Sequence, residues 1–168
     1  MKAPLYETSV PVFVRMLGQL AKILEKAAAD AEARKIDPAA LLESRLAPDM
    51  YPLLKQVQIA TDAAVDGAAR LAGAEAPAFD DSERSFPELG ARIRKAVAFL
   101  EGLGVEQFEG AGERVVSWKA REATVSVKAT PYLLNHALPK FYFHVSMAYA
   151  ILRHEGVALR KGDFMGKA

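Results

Sequence analysis

The sequence predicts an all-α fold, a four-helix bundle with a short β-hairpin inserted before its last helix, and three observations predict it. From Phe141 to Leu152 only His144 and Ser146 lack a largely apolar side chain, and the run is opened by Pro139 and closed by Gly156. Upstream, three long stretches repeat apolar residues at i, i+3, i+4 and i+7, the spacing of an amphipathic helix. Between the two regions, residues 113–128 alternate β-branched or aromatic residues with polar ones, the period of a strand.

The apolar run spans about three helical turns. It is too short to cross a bilayer, which needs about 20 apolar residues. It therefore predicts the buried central helix of a globular domain, with one histidine inside it. In the first helix, Thr8 or Ser9 can cap and Pro11 is tolerated in the first turn. Val10, Phe13, Val14, Leu17, Leu20, Ala21 and Leu24 make its apolar stripe, an alanine-rich tail extends it through Ala33, and Arg34 and Lys35 suit the negative end of the helix dipole. Asp37-Pro38 reads as a cap and a first-turn proline before a short helix. Asp49 is expected to cap a long second helix that carries Pro52 in its first turn, with Met50, Leu53, Leu54, Val57, Thr61, Ala64, Ala68 and Leu71 on one face. Gly73 stops it.

Residues 73–84 are small, acidic and proline-containing, and predict a loop. Ser85-Phe-Pro-Glu88 matches a capping box and opens a third helix through Phe86, Leu89, Ile93, Ala96, Val97, Leu100 and Leu103. Strands over 113–119 and 123–128 are joined around Ala120-Arg-Glu122, so that Val116 and Trp118 share a face with Val125 and Val127. The hairpin is too small to stand alone and must lie on the helices. Residues 131–138 lead into the last helix, and the polar tail 157–168 is expected to hug the surface or fray.

One domain over 1–168 suits the length of 168 residues. The chain has no cysteine, which excludes disulfides, thiolate metal sites and cysteine nucleophiles. The net charge is +1 and the isoelectric point about 7.9. Without a stripe of Lys and Arg, no nucleic-acid partner is expected. The first ten residues lack the apolar segment of a signal peptide, and no span is long enough for a membrane, so a cytoplasmic location is expected.

The segments SVPVF near the start, LAPDMYPLLKQVQIATD in the second helix and LPKFYFHVSMAYAILRHEGV in the last resemble a bacterial "domain of unknown function" branch of the DinB/YfiT-like four-helix bundles. The resemblance covers essentially the whole chain and is most specific in the last helix. It implies a DinB-like fold and, in metal-binding members, a three-histidine site. One histidine sits on the second helix and an i, i+4 pair on the last, where residues four apart share a face and imidazole suits zinc or nickel. Mapped onto this chain, His144 holds the first position of the pair and Ala148 the second. The second-helix position falls on Gln58, with Gln56 as the alternative. One ligand of three is retained, so the expectation is a degenerate metal site with no metal and no cofactor.

His136, His144 and His154 cannot make an i, i+4 clasp among themselves, since His144 and His154 lie about 80° apart around the helix. His144 reads either as a core histidine bonded to a neighbour or as a pocket residue facing Gln58 and Asp62. Gln56, Gln58 and Asp62 read either as ligand-binding groups or as a solvated edge beside the apolar stripe. Tyr142, Tyr149 and Arg153 fall on one side of the last helix and either line a polar cleft or pack their apolar bodies with polar tips at the rim. Trp118 reads as a packing anchor. The common phosphate-loop, dinucleotide, serine-hydrolase and zinc-protease motifs are absent.

No complete catalytic set stands in the sequence, which leaves enzyme status open. The leading expectation is a non-catalytic homodimer or small-ligand binder, with His144, Gln58, Gln56, Asp62, Tyr142 and Tyr149 as the ligand-binding candidates. The dimer expectation comes from a last helix that is apolar nearly all round and needs cover on more than one side. The alternative, which the resemblance implies, is a metal-dependent transferase or isomerase acting on a low-molecular-weight thiol, with a remodelled site around His144.

Overall fold

The computed structural model describes residues 4–166. Residues 1–3 and 167–168, the outer ends of the N-terminal stretch and of the polar tail, lie outside the described residues. In chain order the elements are α1 (Val10–Arg34), α2 (Pro38–Glu43), α3 (Leu53–Ala72), α4 (Phe86–Glu101), two 3₁₀ turns (Val105–Phe108 and Ala111–Glu113), β1 (Val115–Ala120), β2 (Ala123–Lys128), α5 (Ala129–Tyr132), a π turn (Leu133–Ala137), α6 (Leu138–His154) and α7 (Lys161–Met165). Helices α1, α3, α4 and α6 form the bundle. α3 lies between α4 and α6, and α1 closes the ring by packing on both of those helices.

The core is the set of apolar stripes that the periodicity predicts. Phe13, Leu17, Leu20 and Leu24 of α1 meet Leu53, Val57, Ala64 and Leu71 of α3, Leu89, Ile93 and Leu100 of α4, and Phe141, Val145, Ile151 and Leu152 of α6. Phe13 and Phe141 meet edge to face at 5.0 Å, a geometry worth about 1 kcal/mol beyond the area it buries. At the head of the antiparallel α3–α6 seam, α3 has a glycine where its neighbours come close. A Cβ on Gly67 would stand 3.3 Å from Ala137 Cβ and 3.4 Å from Phe13 Cζ.

Several helix ends differ from expectation. Thr8 and Ser9 precede α1, but their hydroxyls donate back to the Pro4 and Leu5 carbonyls at 2.9 and 2.5 Å and so do not cap the helix. α3 begins at Leu53, not near Met50. Proline disfavours helical backbone in the residue before it, so the chain cannot run helical through Tyr51, and Pro52 takes the N-cap position. Asp37 does cap α2, accepting from the Ala39 amide at 3.0 Å. At α4 the capping box is displaced by one residue. Ser85 accepts from the Glu88 amide, while the Glu88 carboxylate accepts from the Arg84 amide at 2.7 Å and from the Ser85 hydroxyl.

The last helix does not start at Pro139. Helical backbone begins at Ala129 and continues through α5 and the π turn into α6. Pro139 has no N–H, and its ring crowds the carbonyl four residues back. The wider π turn just before it takes up that mismatch. The hairpin has the expected register, with Val116 opposite Val127 and Trp118 opposite Val125. Arg121 adopts φ +55° in its two-residue turn, the positive φ that a tight hairpin demands. The tail hugs α1: Val157 and Leu159 are buried, α7 packs on α1, Arg15 donates to the Met165 carbonyl at 2.8 Å, and Lys26 pairs with Asp163.

The acidic loop 73–84 is strapped down by one buried cation. Arg92 of α4 is 3% exposed. Its Nε donates to Thr61 Oγ1 at 2.6 Å and its two NH groups meet Asp62, Asp81 and Glu83 at 2.5, 2.9 and 3.1 Å. The guanidinium lies 4.4 Å from the centre of the Phe79 ring. A cation out of water is costly unless it is paired and hydrogen-bonded, so the loop's carboxylates and α3 must both come to it. Lys55 and Gln58 add a second row, bonding Asp81 and Glu83 at 2.6 and 2.9 Å. Arg92→Ala should therefore destabilise the fold by about 3 kcal/mol and make residues 73–84 the first site of limited proteolysis. Urea denaturation and mass spectrometry of early fragments check this; an unchanged midpoint with unchanged cleavage contradicts it.

Candidate functional site

His144 faces α3. It sits one turn after Lys140 on α6, half-buried, with Phe141, Val145 and Ala148 wholly buried beside it. Its Nδ1 stands 2.7 Å from Gln56 Oε1. The other end of that amide is fixed, because Gln56 Nε2 donates to the Tyr51 carbonyl at 3.0 Å. An amide whose NH₂ is engaged presents only its oxygen to the ring, so Nδ1 must carry the proton and donate. The tautomer leaves Nε2 with a lone pair that no hydrogen bond to the described residues takes up. The Phe143 ring stands edge-on to the imidazole at 5.2 Å. Burial, with a smaller push from Lys140, lowers the His144 pKa from 6.5 to about 4, so the ring is neutral at physiological pH.

Of the second-helix residues that the sequence offers, the structure brings Gln56 to His144. Gln58, two positions on, points away because successive helical residues are turned by about 100°. Its amide bonds Glu83 and its carbonyl lies 3.4 Å from Arg92. Asp62 likewise belongs to Arg92 and does not face His144. Burial raises the Asp62 pKa against the opposing pull of Arg92, whereas the Lys55 ammonium holds Asp81 below the usual carboxylate range. Gln56 and Gln58 are 1% and 3% exposed, which corrects the reading of them as a solvated edge.

Tyr142 and Tyr149 pack their rings against different neighbours. Tyr142 packs against Phe141 at 5.5 Å and Tyr149 against Phe164 of α7 at 5.8 Å. Arg153 donates to the Val157 carbonyl at 2.7 Å and helps end α6. Sequence reasoning missed Arg92 and the Tyr51 carbonyl. A basic residue inside the Leu89–Ile93 stripe, downstream of an acidic loop, was the available signal for the first. The second is a backbone group and leaves no trace in residue identity.

A metal does not fit the donors at His144. The i+4 residue, Ala148, has no donor, and Gln56 offers an amide oxygen already taken by the imidazole. Among the described residues no three His, Asp or Glu side chains gather in a way that could hold an ion, and a zinc site takes at least three protein ligands.

The depressed His144 pKa has a definite consequence for stability. The unfolded chain binds a proton near pH 6.5, while the native ring resists it to about pH 4. Stability from this group is thus complete above about pH 6.5 and lost as pH falls toward 4. The loss should be about 1–2 kcal/mol, less than the full shift would give because the ring is half-buried. Denaturant titrations across this range should show the loss in the native chain and its absence in His144→Gln; equal slopes in both contradict the assignment.

The family model described as "Domain of unknown function (DUF1993)" matches residues 5–165. The chain is similar to a solved structure of a DinB family member protein from Shewanella denitrificans, at 41% identity and a TM-score of 0.92, over 98% of this chain and 93% of that one. No curated protein matches the chain. With that family model spanning nearly every residue and a DinB family structure overlaying the whole bundle, the chain belongs to the DUF1993 family, a branch of the DinB-like four-helix bundles.

Proposed function

We propose that this DinB-like bundle is a non-catalytic homodimeric binding protein, able to hold a small ligand near His144, in which the three-histidine metal site of its superfamily has been lost. One observation carries the reading. The imidazole that would be the surviving ligand is bonded to an amide, Gln56, itself held by the Tyr51 carbonyl, and the next turn of α6 offers Ala148. The pair satisfies a half-buried ring without a metal.

The dimer reading is supported by the outer face of α6. Phe143 is 52% exposed, and Met147 and Ala150 follow it at i+4 and i+7 on the same side, both incompletely buried. Tyr51, 57% exposed, stands on the segment that holds Gln56. A second copy of this face would cover both aromatics. A second reading, the metal-dependent transferase or isomerase of a low-molecular-weight thiol, is favoured by the free Nε2 lone pair. A ring anchored through Nδ1–H is oriented as metal-ligating imidazoles are.

Elemental analysis of protein purified without an affinity tag separates the two readings. The expected result is far below one equivalent of zinc or nickel; a stoichiometric metal lost in His144→Ala overturns the first reading in favour of the second. Light scattering behind size exclusion should give a dimer at micromolar concentration, weakened by about 2 kcal/mol or more in Phe143→Glu. A strict monomer removes the homodimer.

A further inference from the structure

Trp118 projects from β1 onto the start of the last helical run and forms an aromatic wall there. Its ring centre is 4.4 Å from that of His136 and 5.2 Å from that of Tyr132, and His136 stacks on Tyr132 at 5.6 Å with 25° between planes. His136 is carried by the π turn, a distortion of the helical repeat often found at functional sites. The wall borders a cleft of about 230 Å³ between the hairpin, α3 and the head of α6. Two cationic side chains share the lining, Arg70 and Lys140; Lys119 borders it from β1 but follows Trp118 on the strand, so its side chain belongs to the outward, exposed face of the hairpin. Asp66 also lines it and pairs with Arg70 at 3.1 Å. Arg70 further donates to the Tyr132 hydroxyl at 3.3 Å, so the guanidinium is held in place. Among the described residues no carboxylate pairs with Lys119 or Lys140, and both are exposed.

The cleft thus concentrates positive charge that the chain as a whole, at +1, does not have. His136 registers it: burial first, then Lys140 and Arg70, lower its pKa. An anion between these groups would remove the repulsion and take charge-assisted hydrogen bonds from a pre-set arginine. The aromatic wall offers a surface for a ring to stack on. The volume is below the 300–1,000 Å³ typical of sites for drug-sized ligands, which limits the ligand to about one ring and its charged head.

We propose that this cleft binds a small organic anion carried on a planar ring, with Arg70 and Lys140 taking the charge and the Trp118–His136 wall taking the ring. The proposal concerns a different set of residues from the His144–Gln56 pair and does not rest on the reading of that pair.

Trp118 is the single tryptophan of the chain, so its fluorescence reports on the cleft directly. Titration of the full chain with phenyl phosphate should change the emission saturably, with phenol and inorganic phosphate each binding about tenfold or more weakly. Lys140→Glu alters an exposed side chain and should weaken phenyl phosphate about tenfold, while Lys119→Glu, on the outward face of the hairpin, should weaken it less; far-UV circular dichroism should stay native in both. No saturable change by about 10 mM phenyl phosphate, equal affinity for phenol or inorganic phosphate, or unchanged binding in folded Lys140→Glu overturns the proposal.

Discussion

The antiparallel seam between α3 and α6 is the constraint on which the rest of the structure depends. α3 brings Gly67 where α6 is about to begin, and the missing side chain lets Ala137 and Phe13 close to van der Waals distance there. That contact fixes the register of the two helices. With a rise of 1.5 Å per residue, the register then decides every polar meeting further along. It sets Gln56 opposite His144 and places Asp66 and Arg70 beside His136 and Lys140. The His144–Gln56 pair and the cleft beside His136 both lie on this one seam, with His136 about two turns before His144.

The opposite side of α3 is organised by a different physical demand. Arg92 enters the interior from α4, and its charge must be met where it stands. The acidic loop is therefore not a free connection but a counter-ion folded over α4, with Phe79 beneath the guanidinium. Gln58 and Asp62 are drawn to this side. The two glutamines of α3 thus serve different neighbours, one on the α6 side and one on the α4 side, and the helix separates a neutral hydrogen-bonded pair from an ionic one.

Much of this was legible in the residues, and the parts that were not share a cause. Apolar periodicity located α1, α3 and α4 because burial of a stripe is a property of one helix alone. The hairpin register followed from a period of two and a two-residue turn. Asp37 and Ser85 were found because capping is local. What failed was anything set by a neighbouring element. Gln56 and Gln58 are the same residue type two positions apart, and only the register with α6 decides which of them meets His144. Pro139 looks like a helix start from sequence, since proline suits a first turn, but helix already formed by Ala129–Ala137 absorbs it through a π turn. Arg92 was passed over, although it sits inside the Leu89–Ile93 stripe, because an arginine on an amphipathic helix ordinarily marks the solvent face.

The central claim is that Gln56 holds His144 as a neutral ring protonated at Nδ1 and thereby satisfies it without a metal. Long-range ¹H–¹⁵N correlation of the histidine side chains at neutral pH tests this most directly. The account predicts that His144 carries its proton on Nδ1 with Nε2 unprotonated, and that both resonances stay in place when zinc or nickel is added in slight excess. An Nε2-protonated ring, or a metal-induced displacement of the His144 Nε2 resonance at one equivalent, would contradict it.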